Sequence, residues 1–186
     1  MRSTRLAWVA VVIAGIATVA THASTFLPAD FAAVVTGSQA IVVGRITDVR
    51  TVQATAGDVE TVAALRVDAV VKGDIEPDSF MSVRVPGGDR GRYRTVVPGA
   101  PVLRVGDAAV YFLTRESGTW RPTTWSSAVF PLAIVDRQVR VHPPVVDGVT
   151  ATAGAPVVRG DVRRRTMPLA TFESLVRMAL AAEARR

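Results

Sequence analysis

The sequence predicts a mainly β domain of five strands, closed into a barrel or laid out as a meander, with a short helix before it and an amphipathic helix after it. Three observations carry this. Residues 40–73 form two β-branched runs with a period of two. Further apolar runs at 80–85, 108–114 and 125–135 are separated by corners rich in Gly, Pro and Asp. Helical spacing of apolar residues is confined to 26–37 and 166–186. At 186 residues, 49% hydrophobic and 20% charged, the chain can bury one ordinary core.

The first element is a targeting segment. Arg2 and Arg5 give a positive start, Leu6 to Ala20 is free of charge, and Thr21 and Ala23 place small residues where a signal peptidase reads them, so cleavage is expected between Ala23 and Ser24. The charge-free run ends near Thr25, at the short limit of the roughly 17 to 25 residues that a membrane-spanning helix needs. The expectation is a periplasmic or extracellular protein that is not integral to the membrane after cleavage. With no cysteine in the chain, neither a disulfide nor a thiolate metal site can brace an exported fold, and no lipid can be attached to a cysteine after the apolar run. The net charge is +6, of which Arg2 and Arg5 would leave with the leader, too small an excess to suggest nucleic acid as a partner.

Residues 24–37 follow as a short helix, with Pro28 in its first turn, Asp30 near its positive end, Gly37 as a left-handed stop, and Phe31, Val34 and Val35 on one face. The β domain is expected over 38–141. Its first strand, Ala40 to Val49, passes from a continuous apolar run to alternation, interrupted by Arg45 and Asp48. A Gly57-Asp58 corner leads to the second, in which Leu65, Val67, Ala69 and Val71 share one face and Arg66 and Asp68 the other. The acids Asp74, Glu76 and Asp78 lie in a turn without the length, central glycine or terminal glutamate of a calcium loop. Phe80 to Val85 is the third strand.

Gly88 to Val97 is the most basic loop. On an extended chain Arg90, Arg92 and Arg94 point to one side and Tyr93 to the other, a possible grip for phosphate, sulfate or carboxylate. No Gly-Lys-Ser/Thr ending makes it a phosphate cradle. Ala108 to Thr114 is apolar on both faces, which suggests a central strand covered on each side. Thr119 to Pro122 reads as a short edge segment, limited by its proline, and Trp125 to Val135 as the last strand of the barrel, turned by Asp136-Arg137 into Gln138 to Val141. Trp120 and Trp125 are amphipathic rings that either pack a wet rim or stack on a sugar. Residues 142–165 lack periodicity and are expected to form an extended loop. In the last element, 166–186, Thr166 or Thr171 can cap a helix whose apolar face holds Leu169, Phe172, Leu175, Val176, Ala179 and Leu180, with Glu173 in its first turn and Arg185 and Arg186 in its last.

The runs 40–49, 65–73 and 105–113 together resemble uncharacterised exported bacterial proteins whose barrels look like the OB fold of netrin and tissue-inhibitor-of-metalloproteinase modules. The resemblance covers about 40–135. It implies an OB-like barrel and a role linked to secreted zinc proteases. In those inhibitors an amino-terminal cysteine ligates the protease zinc, and this chain has none to carry that mechanism.

Little here points to catalysis. Beyond the leader the only histidine is His142, flanked by Val141 and a proline pair; any Ser-His chemistry would rest on it alone. A Gly-x-Ser-x-Gly elbow is missing. Asp58 and Glu60 sit at a hairpin turn, where carboxylates are ordinarily solvated. The sequence therefore reads as a non-catalytic binding or accessory module without a cofactor. Its partner would be an unidentified protein or an anionic envelope polymer, and its candidate contacts are Arg90, Arg92, Tyr93, Arg94, Trp120 and Trp125. The alternatives are a regulator, inhibitor or companion of a secreted metalloprotease and a small carboxylate-dependent hydrolase.

Overall fold

A computed structural model of the chain describes residues 30–54, 57–144 and 165–185. The expected leader, the expected start of the first helix up to residue 29, and most of the 142–165 stretch lie outside the described residues. Within them the protein is mainly β, with ten strands where the sequence suggested five, and one helix before and one after the sheet.

Helix α1 spans Phe31–Gly37 and buries Val34 and Val35, with Phe31 packed beside them, as the spacing predicted. Its stop differs from the expected one. Gly37 lies inside the helix, and the chain leaves it through Ser38, whose hydroxyl donates to the Val34 carbonyl at 2.6 Å. Lys72, the only lysine, donates to the carbonyls of Val35 (3.3 Å) and Thr36 (3.1 Å), placing a cation at the negative end of the helix.

Strands β1 (Ala40–Gln53) and β2 (Val59–Lys72) form the long antiparallel hairpin read from the sequence. The single apolar face expected for β2 is not kept along its length. The register slips where Val43↔Ala69 gives way to Gly44↔Val67, leaving Asp68 as an extra residue. One inserted residue moves the side chains that follow to the other face. Leu65 and Val67 consequently enter one core, while Ala69 and Val71 pack on a second. Gly44 faces this crossing. A Cβ there would overlap the Arg66 carbonyl and crowd Leu65, so the close approach of the two strands requires glycine.

Strand β3 (Phe80–Pro86) pairs with β2. The basic loop is not extended; β4 (Gly88–Arg90) and β5 (Tyr93–Thr95) fold it into a separate two-stranded hairpin. Gly91 takes φ +58° at the first of the two turn residues, a conformation that costs glycine little. Strand β6 (Ala108–Glu116) is central, as expected. It pairs with β1 on one side and with β7 (Thr119–Pro122) and β8 (Val129–Val135) along its length on the other. Its alternation serves both cores: Ala109, Tyr111 and Leu113 face the first, Val110 and Phe112 the second.

Two segments depart from expectation here. The segment Thr119–Pro122 is not an edge, because Trp120 also pairs in parallel with Val83 of β3. Pairing thus runs β1, β2, β3, β7, β6 and back to β1. Residues Trp125–Ala128 form a 3-10 turn rather than the start of a strand. Strand β9 (Gln138–Val141) follows a two-residue turn at Asp136 and Arg137, as read from the sequence. It then pairs with β10 (Met167–Pro168), a two-residue strand that lies within the stretch expected to be helical.

The terminal helix α2 therefore begins later than predicted, spanning Leu169–Glu183. Neither Thr166 nor Thr171 caps it; Pro168 occupies the N-cap position, and Glu173 falls beyond the first turn, where it meets Arg177 at 3.3 Å instead of the helix end. Phe172 and Val176 are buried and Leu169, Ala179 and Leu180 pack beside them on the second core. Phe31, Phe112, Phe130 and Phe172 meet there, with ring centroids 4.9 to 6.2 Å apart. Both helices are thus pinned to one face of the sheet by aromatic packing.

Candidate functional site

The sequence-derived contact residues fall on three separate elements. Arg90 pairs with Tyr93 and Asp89 with Arg94 across the β4–β5 hairpin, so the three arginines are divided between two strands and a turn and do not line one side of an extended chain. All of them are exposed, Tyr93 at 80%, and the Arg94 guanidinium lies 3.6 Å from the Asp89 carboxylate. Only Arg94 of this group borders the small pocket of about 110 Å³ beneath the hairpin. Trp120 is half-buried on the first core, and the Arg115 guanidinium sits 5.6 Å from its ring centre. Trp125 is 42% exposed at the start of the 3-10 turn, with φ +56°, a strained conformation for a bulky residue.

The acids considered as a catalytic pair are also separated in character. Asp58 is exposed, but Glu60 is not a solvated turn residue. It lies on β2, 9% exposed, and accepts from Arg121 at 2.5 Å and from Arg84 at 3.4 Å. The hydrogen bond and charge of Arg121, reinforced by Arg84, hold its carboxyl below the usual value of 4.5 despite burial. Among the described residues no group of three or more His, Cys, Asp or Glu is placed to hold a metal.

A larger concavity lies elsewhere among the described residues. A cleft of about 690 Å³ opens between residues 101–107 and strand β8, over the beginning of β6. Its walls are mostly apolar, with Val43, Leu103, Ala109, Val129 and Leu132 among them. The segment 101–107 is held in place through backbone bonds to β1: Ile46 N–H donates to Asp107 O at 2.9 Å, and Gly106 N–H to Ile46 O at 2.8 Å. Asp107 closes the local turn by accepting the Arg104 N–H at 2.9 Å, and the Arg45 guanidinium donates to Gly106 O at 3.0 Å.

Polar groups are few. Ser126 borders the cleft, is 1% exposed, and its hydroxyl has no hydrogen-bond partner among the described residues. Leaving a buried hydroxyl unpaired costs on the order of 1–3 kcal/mol, so it marks a place where a partner atom is wanted. Tyr111 also borders the cleft, its hydroxyl 3.5 Å from Asp107 O; burial, with the Asp107 charge, pushes its ionisation far up, so it stays a neutral phenol at any physiological pH. Asp68 is engaged by Arg66 at 2.7 Å. A predominantly apolar cavity of this size with a small set of polar groups has the form of a small-ligand or peptide site.

Sequence reasoning did not find this cleft. Arg45 was visible as a cation breaking an apolar run, and that is the one signal that pointed here; Ser126 and the 101–107 segment carried none. No family model, curated protein or solved structure matches this chain.

Proposed function

We propose that this chain is an exported, non-catalytic binding or accessory module, built on an OB-like barrel, whose ligand sits in the cleft between residues 101–107 and β8. The observation that carries the reading is the unpaired Ser126 hydroxyl in an apolar cavity of about 690 Å³. The barrel reading is supported by the cycle of pairings through β1, β2, β3, β7 and β6, which leaves those five strands without a free edge between them. Export is supported by Arg2, Arg5 and the uncharged run after them.

Binding is favoured over hydrolysis because the cleft's carboxylates already have structural tasks. Asp68 pairs with Arg66, and Asp107 holds its turn. His142 does not border the cleft. The cleft is favoured over the arginine hairpin because the hairpin divides its cations and gives Arg94 an acidic neighbour.

Affinity capture from envelope extract and culture medium tests this reading, comparing the native protein with Ile134→Glu and with the triple variant Arg90→Ala, Arg92→Ala, Arg94→Ala. Ile134 borders the cleft at 77% exposure, so its replacement leaves the cores intact. Retention of the captured partner by the triple variant and its loss in Ile134→Glu supports the cleft. The opposite pattern places the site on the hairpin and overturns the reading.

A further inference from the structure

We infer that the cleft takes an extended apolar peptide bearing a carboxylate, added as a strand along the free side of β8 with its carboxylate at Arg45 and Arg104. This rests on reading the cleft as the ligand site, and it names the ligand class.

Three features of the cleft agree on that class. First, one wall is an unpaired strand. Strand β8 pairs with β6 only from Val129 to Pro131; beyond Pro131 its remaining pairing is with β9 on the opposite side. Residues 132–134 therefore border the cleft with no strand partner on that side among the described residues. At about 3.3 Å per residue they span about 10 Å, enough to pair with three residues of a bound tetrapeptide. An open strand edge in an apolar groove is the geometry that extended peptides extend by backbone hydrogen bonding, with alternate side chains entering pockets.

Second, the charge at the mouth is not balanced. Asp68 is neutralised by Arg66, which leaves Arg45 and Arg104 against the single carboxylate of Asp107, an excess of positive charge among the residues that border the cleft. Arg45 is held there by a neutral carbonyl, and neither Arg45 nor Arg104 has an acidic partner within 4.0 Å among the described residues. Two guanidiniums bordering an apolar slot favour a ligand that ends in, or carries, a carboxylate.

Third, Ser126 supplies a buried hydroxyl at the cleft with no hydrogen-bond partner among the described residues. A simple acyl chain has nothing to offer it. A peptide carries a carbonyl or N–H at every residue, so it can meet Ser126 and the arginines at once while its side chains contact Val43, Ala109 and Leu132.

Affinity selection with a pooled library of N-acetylated tetrapeptides of valine, leucine, phenylalanine and serine tests the inference. The library is presented once with free carboxylates and once amidated, with sodium dodecanoate as a separate non-peptide probe. The free-acid peptides are expected to be enriched about tenfold over their amides. The double variant Arg45→Gln, Arg104→Gln is expected to abolish that preference, so that acids and amides are enriched alike, while Ser126→Ala weakens both libraries. Equal enrichment of acids and amides overturns the carboxylate assignment. Binding of dodecanoate alone overturns the peptide class while leaving the cleft as a ligand site. Enrichment of no peptide also overturns the inference, and the capture experiment with Ile134→Glu then judges the cleft independently.

Discussion

Arg121 donates a 2.5 Å hydrogen bond to Glu60 from 61 residues further along the chain, and the pair ties β7 to β2 across the intervening β3. Arg84 on β3 approaches the same carboxylate at 3.4 Å, so one acid is shared by cations from two neighbouring strands. Because β7 is only four residues long and pairs with β3 through Val83↔Trp120, this side-chain link reinforces the weakest junction in the cycle of strands.

Replacing Glu60 by Gln is expected to destabilise the fold by about 2 kcal/mol, since two guanidiniums lose their counter-charge in a partly buried setting. The pH dependence has a definite sign. The folded carboxyl ionises below 4.5, so its contribution is complete above that value and is lost as pH falls through the folded value. Chemical denaturation from pH 7 downward should show an acid loss of stability in the native protein that is smaller in Glu60→Gln.

The aromatic cluster predicts a contrast between two phenylalanines. Phe172→Ala should cost about 3–5 kcal/mol because the residue is 1% exposed and touches Phe31, Phe112 and Phe130. Phe80→Ala, at 67% exposure, should change stability by less than about 0.5 kcal/mol. Urea midpoints of the two variants check this.

At the strand crossing, Gly44→Ala should destabilise by about 1–3 kcal/mol, the usual cost of forcing atoms into a filled space. Thermal unfolding measures it. If the β1–β2 approach were loose, the same change would be neutral or slightly stabilising, because alanine narrows the unfolded ensemble.

The turn between β8 and β9 holds two non-glycine residues at positive φ, Asp136 at +51° and Arg137 at +60°. Each L-residue in that region costs roughly 1–2 kcal/mol. Arg137→Gly is therefore expected to raise stability by about 1 kcal/mol, visible as a higher thermal midpoint, with the cleft unaltered.

Much of the strand order was legible because its signals are local. The β1–β2 hairpin, the double-faced apolar run of β6 and the Asp136-Arg137 turn all follow from side-chain period and turn chemistry. What escaped depends on single backbone events or on distant contacts. The extra residue at Asp68 switches the face of Ala69 and Val71, and nothing in a period-two pattern announces a bulge. Gly91 folds the arginine loop back on itself, which cancels the alignment that a spacing of two implies. Glu60 looked like a turn residue because its partners, Arg84 and Arg121, come from strands that the sequence cannot place beside it. The cleft is assembled from Val43, Leu103, Tyr111, Ser126, Leu132 and Leu169, a set joined only by the fold.

The cleft as ligand site is tested most directly by hydrogen–deuterium exchange of the native protein, alone and with its captured partner. Protection of backbone amides in 101–107 and 132–134, with 88–95 unchanged, is the predicted result. Protection confined to 88–95 would contradict it and return the site to the arginine hairpin.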